Sequence, residues 1–430
     1  KLADLMIDNM PALIRLSVDE GGRALADARD EVREAIDFCR YYAAQGRTLF
    51  HEDGVALPGP TGERNSLSYD PKGVFVCISP WNFPVAIFTG QIAAGLMAGN
   101  AVIAKPAEQT PLCAYEVVRL MLQAGVTPGA ITLMPGGGDI GAALVEDEDV
   151  AGVAFTGSHT TAKIIQQTLA AKDGPIPALI AETGGLNAMI ADSSALPEQL
   201  VDDVVASAFG SAGQRCSAAR MLFVQEDVAD HVCDMLGGAI AELKLGDPGE
   251  LATDIGPVID GDAHAMLETH KTTLAEADMR KIGEAPLPGG MENNGHFVAP
   301  VAYELTHADW LQEEIFGPIL HVVRFSADEI DQVVAAINNK GYGLTFGVHS
   351  RVDAFCQDMA RRINAGNIYV NRGIIGSVVE SQPFGGRGLS GTGPKAGGPN
   401  YLSRFADEKV VSINTTAQGG NASLVMMDEE

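Results

Sequence analysis

Cys216 sits among small residues, in the run Gly210-Ser211-Ala212-Gly213-Gln214-Arg215-Cys216-Ser217-Ala218-Ala219-Arg220. A helical pattern precedes it from Glu198 to Phe209, with Leu200, Val201, Val204, Val205 and Ala208 on one face. A strand-like run, Met221 to Val224, follows. The cysteine therefore falls where a helix gives way to irregular backbone, and its small neighbours leave the thiol reachable. Arg215 places a positive charge beside it, which favours the thiolate, the form that attacks carbonyl carbons. On this stretch alone two readings stand: a nucleophile, or a buried structural cysteine, the usual fate of a free thiol.

Nearby elements have to decide between them. Gly73–Ile78, Ala101–Ala104, Ile131–Met134, Val153–Phe155 and Ala178–Ala181 read as short apolar strands. Val85–Ala98 and Cys113–Ala124 read as helices, and Pro135 to Gly138 closes the third strand. Such alternation predicts an α/β fold with a parallel sheet covered on both faces. Ligands of these sheets bind beyond the carboxyl ends of the strands. There lie Ser79-Pro80-Trp81-Asn82-Phe83-Pro84, Lys105-Pro106-Ala107-Glu108, Thr156-Gly157-Ser158 and Glu182-Thr183-Gly184-Gly185. Each group alone is a turn or a cap; four together argue for a dinucleotide site.

A second α/β alternation follows the cysteine. Met221–Val224, Ile319–Val323, Leu344–Val348 and Asn367–Val370 read as strands; Asp227–Leu243, Ala327–Asn338 and Val352–Ile363 read as helices. Residues 1 to 44 read as helices broken at Gly21-Gly22, with no evident chemistry. Residues 50 to 71 read as an extended flap with a strand near Leu67-Ser68-Tyr69, and Val410–Thr415 as a final strand. The acidic end, Asp428-Glu429-Glu430, reads as a solvated tail.

Composition narrows the partners. Lys and Arg total 29 against 56 Asp and Glu, a net charge of -27, which repels nucleic acid and anionic membranes. Of 430 residues 46% are hydrophobic and 20% charged, as in soluble chains of two or three domains. Six scattered cysteines without CxxC spacing argue against a disulfide framework or a metal site and for a reducing cytoplasm. No apolar run approaches the roughly 18 residues that span a bilayer. The start at Lys1, inside a helical pattern and without initiator Met or signal peptide, predicts a piece of a longer protein.

Seven motifs, in order along nearly the whole chain, resemble the aldehyde dehydrogenase superfamily. They are Pro80-Trp81-Asn82-Phe83-Pro84, Lys105-Pro106-Ala107-Glu108, Phe155-Thr156-Gly157-Ser158, Glu182-Thr183-Gly184-Gly185, Gly213-Gln214-Arg215-Cys216, Glu314-Ile315-Phe316-Gly317-Pro318 and Pro383-Phe384-Gly385-Gly386. Ile78 to Pro84, Gln382 to Gly386 and Leu389 to Pro399 are similar to the glutamate semialdehyde (pyrroline-5-carboxylate) dehydrogenases. The ending Asn414 to Leu424 resembles the dehydrogenase module of bifunctional bacterial proline utilization proteins, in which an FAD-dependent proline dehydrogenase domain lies upstream.

The resemblance implies two α/β domains with parallel-type sheets, a Rossmann-like NAD-binding domain and a catalytic domain, plus a small oligomerisation flap. Residues 1–52 and 72–185 would bind NAD, 186–400 would be catalytic, and 53–71 with 401–430 would form the flap and C-terminal segment. It implies NAD-dependent oxidation of L-glutamate γ-semialdehyde to L-glutamate. Cys216 attacks the aldehyde, the Asn82 amide and the Cys216 N–H hold the oxyanion, and Glu182 activates water against the thioester. Each oxyanion donor is worth roughly 3–4 kcal/mol.

For the cofactor, the resemblance implies Lys105 and Glu108 on the adenosine ribose, with Glu108 disfavouring a 2′-phosphate. Ser158 opens a helix toward the pyrophosphate. Glu314 and Phe316 meet the nicotinamide ribose and ring. Ile78, Ser79, Pro80, Trp81, Ala107, Phe155, Thr156, Gly157, Thr183 and Gly184 complete that site, and no metal is implied. Ser217, Gly376 and Ser377 would bind the substrate carboxylate; Phe83 and Phe384 would flank its chain. Ala162 and Glu380 stand where the family usually carries glycine. A homo-oligomer is implied. The rival within enzymes is another hydrolytic aldehyde dehydrogenase, such as one for succinate semialdehyde; the rival outside them is a silent scaffold.

Overall fold

The computed structural model describes residues 1–51, 53–291 and 294–418. Glu52, the end of the first expected cofactor-binding stretch, lies outside the described residues. So do residues 419–424 of the C-terminal motif and the acidic end Asp428-Glu429-Glu430.

Three helices open the chain: Leu2–Asp8, Met10–Gly21 and Leu25–Leu49. Gly22, at φ 63, ends the second in a left-handed turn, where a residue without Cβ is at no steric disadvantage. The third buries Ala28, Val32, Ala35, Ile36, Phe38 and Tyr42, a stripe at helical spacing. That stripe packs on the helix Ala86–Met97, where Gly90 makes room for the Phe38 ring: a Cβ there would sit 3.1 Å from it.

The first sheet has five parallel strands. Their order is Ile131–Leu133, Ala101–Lys105, Val74–Ile78, Val150–Gly157 and Ala178–Thr183. The chain runs outward in one direction from Val74–Ile78, then returns to its other side. This places a topological switch point at the carboxyl end of that strand, where the sheet can hold a ligand. The helix Gly138–Glu146 joins the strands Ile131–Leu133 and Val150–Gly157. It was hidden in the sequence because it begins inside the glycine run that reads as a turn.

The second sheet has seven strands, in the order Arg280–Glu284, Val301–Leu305, Ile319–Phe325, Met221–Gln225, Ala188–Ala191, Thr345–His349 and Asn367–Val370. All pair in parallel except the edge strand Arg280–Glu284. Three of these strands, 188–191, 280–284 and 301–305, escape the sequence pattern, as does the helix Gly261–Glu276. The first is four apolar residues long, and the helix buries only Leu267 and Leu274. Short runs and weakly amphipathic helices carry too little periodicity to be read.

A third sheet joins Val55–Leu57, Arg64–Pro71 and Ala406–Ile413 in antiparallel pairing. Tyr401, Leu402 and Phe405, just before its last strand, are buried in the core of the first sheet. No helix among the described residues is long and apolar enough to cross a membrane.

Candidate active site

The helix Pro197–Phe209 ends in a turn in which Ser211, Ala212 and Gly213 are all left-handed, at φ 56, 54 and 67. Two non-glycine residues in that region cost roughly 1–2 kcal/mol each, and the fold holds them there. A Cβ on Gly213 would lie 2.2 Å from Gly317 O. Arg220, fully buried, donates to Gly213 O at 2.7 Å and Arg215 O at 3.0 Å. Asn187 Nδ2 donates to Cys216 O at 2.6 Å and Ala218 O at 2.9 Å. The loop that carries Cys216 is thus held through its backbone by two side chains.

Cys216 is half-buried and lies on the wall shared by two cavities, one of ≈ 110 Å³ and one of ≈ 410 Å³. Burial pushes its thiol up to about 12; Glu314, Glu182 and Glu34 push the same way, and Arg220 opposes them. Arg215, the neighbour in sequence, does not serve the thiol. Its guanidinium turns away to Asp27 on the helix Leu25–Leu49, with Nη2–Oδ1 at 2.6 Å. Burial raises Asp27, but Arg215, Arg23 and Ser211 outweigh it and hold the carboxyl below its ordinary range.

Asn82 is buried 132 residues from its partner in the chain, yet its Nδ2 donates to Gln214 O at 3.0 Å. Asn82 and Cys216 both line the larger cavity. The Asn82 backbone carbonyl accepts from Arg23 Nη1. Arg23 Nε pairs with Glu31 at 3.1 Å, and both side chains are buried. Glu31 also accepts from Val85 N at 2.7 Å and Ala86 N at 3.2 Å, satisfying donors at the start of the next helix. The opening segment, which carries no evident chemistry as sequence, therefore braces Asn82. Arg23→Met is expected to cost about 3–5 kcal/mol, because it leaves Glu31 buried without its cation. A urea denaturation curve checks this.

Glu182 closes the strand Ala178–Thr183 and lines the smaller cavity with Cys216. Its Oε2 accepts from Gly386 N at 3.3 Å, while Oε1 is buried with no hydrogen-bond partner among the described residues. Cβ atoms on Gly385 and Gly391 would meet the two oxygens at 2.5 and 3.2 Å, so glycine lets this loop close over the carboxyl. Burial pushes Glu182 up to about 8; the Gly386 N–H and Lys395 pull it down. A carboxyl with a vacant acceptor and a raised pKa suits a general base acting on water.

The larger cavity runs from Cys216 past Pro80, Trp81 and Asn82 to Gly157 and Ser158, and past Thr183 and Gly184 to Glu314 and Phe316. Ser158 caps the helix His159–Ala171, accepting from Thr161 N at 3.2 Å. Ala162, in place of the usual glycine, lies in the first turn of that helix. Glu314 Oε1 accepts from Arg220 Nη2 at 3.2 Å. A Cβ on Gly184 would fall 1.7 Å from Glu314 Oε2, so only glycine leaves that carboxylate its place. The Trp81 and Phe316 rings meet edge-on at 5.6 Å.

Ile78, Ser79, Lys105, Ala107, Glu108 and Phe155 line neither cavity. Lys105, Ala107 and Glu108 continue the adjacent strand, joined to this rim by Ser79 N to Lys105 O at 3.1 Å. Glu108 is exposed there. Ser79 Oγ donates to Gln91, which donates in turn to Thr156, and the Phe155 ring is buried beneath Gly157.

The smaller cavity holds Phe83, Ser217, Gly376, Ser377 and Phe384 together with Cys216 and Glu182. Every predicted substrate residue is present. Arg23 stacks on the Phe83 ring at 4.4 Å. Glu34, Phe38, Tyr42 and Tyr401 also line it and escape the sequence pattern. Three of the four come from the first long helix, whose inward face reads only as core. Glu380 adopts φ 72, the conformation for which glycine is favoured. No cluster of three His, Cys, Asp or Glu suited to a metal occurs among the described residues.

A thiol, an amide and a carboxyl thus converge where an apolar pocket meets a larger cleft on an α/β sheet. The aldehyde dehydrogenase family model matches residues 1–411, and the chain belongs to that family. It is 51% identical over 417 residues to the bifunctional protein PutA of Klebsiella aerogenes, covering 95% of this chain and 31% of that one. A crystal structure of bifunctional proline utilization A superposes with TM-score 0.94 at 58% identity, covering 97% of this chain and 42% of the other. A 1-pyrroline-5-carboxylate dehydrogenase from Thermus with bound NAD gives TM-score 0.90 at 35% identity, covering 96% and 80%. The chain spans less than half the length of the PutA relatives.

Proposed function

We propose that this chain oxidises L-glutamate γ-semialdehyde to L-glutamate with NAD, the second step of proline catabolism. The observation that carries the reading is Cys216 on the shared wall of two cavities, a smaller one lined with Glu182, Phe83 and Phe384 and a larger one lined with Trp81, Ser158, Glu314 and Phe316. The Thermus relative with bound NAD supports the cofactor. Ser158, Glu314, Phe316 and Trp81 would hold its phosphate and nicotinamide parts, with Lys105 and Glu108 at the adenosine ribose. Bound there, NAD accepts a hydride.

Cys216 releases its proton to solvent water, and the sulfur anion adds to the aldehyde carbon as the carbonyl π bond breaks, giving a thiohemiacetal oxyanion. The second N–H of the Asn82 amide and the Cys216 N–H stabilise that charge. Loss of hydride leaves a thioester. Glu182 takes a proton from water, the hydroxide adds to the carbonyl carbon, and the carbon–sulfur bond breaks to release the acid. Water as acyl acceptor needs such a base; a thiol acceptor does not.

Ser217, Gly376 and Ser377 suit the substrate carboxylate, and Phe83 and Phe384 its aliphatic chain. Glu34 suits the ammonium: burial and then Glu31 push its carboxyl up to about 7, and an arriving cation draws it into the charged form. The expected result is a kcat/KM at least roughly tenfold higher for glutamate semialdehyde than for succinate semialdehyde, which lacks the amino group. Equal values would remove the substrate assignment.

Residues 1–52 and 72–185 form the cofactor-binding part on this reading, 186–400 the catalytic part, and 53–71 with 401–430 the flap and C-terminal segment. Val55, Leu57, Val410 and Val411 expose apolar side chains on the flap sheet, which supports assembly with further copies. The bifunctional relatives support an upstream FAD-dependent proline dehydrogenase domain in the parent chain. Six free cysteines support a cytoplasmic setting.

A further inference from the structure

Ser377 reaches the substrate cavity from a loop that is tied down along its length. Asn371 opens the loop at φ 52 and exchanges two hydrogen bonds with the Ser350 backbone, both 2.9 Å. Ile374 N donates to Ser207 Oγ at 3.1 Å. At the far end the Ser377 hydroxyl turns back onto Tyr369 OH at 2.6 Å. Tyr369 lies on the strand Asn367–Val370, is 5% exposed, and does not line the cavity. The Arg372 guanidinium stacks on its ring at 5.0 Å and fixes the ring plane.

We infer that Tyr369 is a positioning residue that sets the substrate's acid-group specificity by orienting the Ser377 hydroxyl. Two hydroxyls at this distance share one proton in the line between them. If Ser377 donates to Tyr369, its oxygen presents lone pairs to an incoming carboxylate, and the two repel. If Tyr369 donates to Ser377, the Ser377 O–H is released to point into the cavity and donate to the carboxylate. Phenols are better donors and poorer acceptors than alkyl alcohols, so the second arrangement is the native one. Gly376, at φ 75 with open space beside its Cα, leaves the backbone beside Ser377 uncovered for the same anion.

This inference rests on the semialdehyde reading above, and the test separates the two. Tyr369→Phe keeps the ring and its packing and removes one oxygen. Steady-state kinetics are measured with glutamate semialdehyde and with butanal, which has no carboxylate. The variant is expected to lose roughly tenfold or more in kcat/KM for the semialdehyde, mostly through KM, since a hydrogen bond to a charged group is at stake. Butanal and NAD parameters should hold. In a Ser377→Ala background Tyr369→Phe should have no further effect. An equal loss on both aldehydes, or an unchanged semialdehyde KM, overturns the inference and leaves the reading intact. A parent enzyme that does not prefer the semialdehyde to butanal overturns both.

Discussion

Cys216→Ala is expected to reduce NADH formation by at least about 10⁴-fold with any aldehyde, since no other thiol lines either cavity among the described residues to form the covalent intermediate. Cys216 belongs to both cavities, but the cleft is otherwise built by Trp81, Ser158, Glu314 and Phe316. NAD should therefore still raise the melting temperature of the variant, by an amount similar to that of the parent. The fold should tolerate the change, because the loop is held through its backbone by Asn187 and Arg220 and not through the thiol. Residual turnover within tenfold of the parent would assign the nucleophile elsewhere. Loss of the thermal shift would mean that Cys216 builds the cofactor site.

Glu182→Gln is expected to act later, and to act differently with pH. The substitution keeps size and removes the base, at a cost of about 10²- to 10⁴-fold in turnover. Acyl transfer to Cys216 and one burst of NADH should survive, so the thioester should accumulate and appear as a mass increase on the protein. In the parent, burial favours the neutral carboxyl and lifts it to about 8. At pH 7 about a tenth of the molecules then carry the basic form, and turnover should rise with pH to a plateau above about 8. That plateau belongs to turnover limited by thioester hydrolysis; burial lifts the Cys216 thiol further, so acylation, read from kcat/KM, should go on rising above pH 8. The limb near 8 should vanish in Glu182→Gln. A variant with normal turnover and no trapped adduct would remove Glu182 as the base.

Much of this site is legible in the chain as written. Strand ends in a parallel sheet all face one rim, so Asn82, Ser158 and Glu182 could be grouped from periodicity alone, without knowing which strand lies beside which. Cys216 could be placed at a helix-to-strand junction for the same reason. The expectations that failed were those resting on adjacency in sequence. Arg215 neighbours Cys216 along the chain, yet it pairs with Asp27, while Arg220 reaches back beneath the loop. Elements without strong periodicity, such as the strand Ala188–Ala191 and the helix Gly261–Glu276, left no pattern to read.

The amino-acid order by itself singled out Cys216, Asn82 and Glu182 as candidates, Asn82 and Glu182 at the carboxyl edge of an α/β sheet and Cys216 at a helix-to-strand junction. Alternating apolar runs dictate strands and helices locally, and parallel pairing dictates a common rim. Only the tertiary structure decided what holds those side chains in place. Arg23 to Asn82 spans 59 positions, and Glu182 to Gly386 spans 204. Such contacts form between buried polar groups that must be satisfied wherever the packed chain brings them together. No local pattern encodes them, because the partner is chosen by the closing of the core and not by spacing along the backbone.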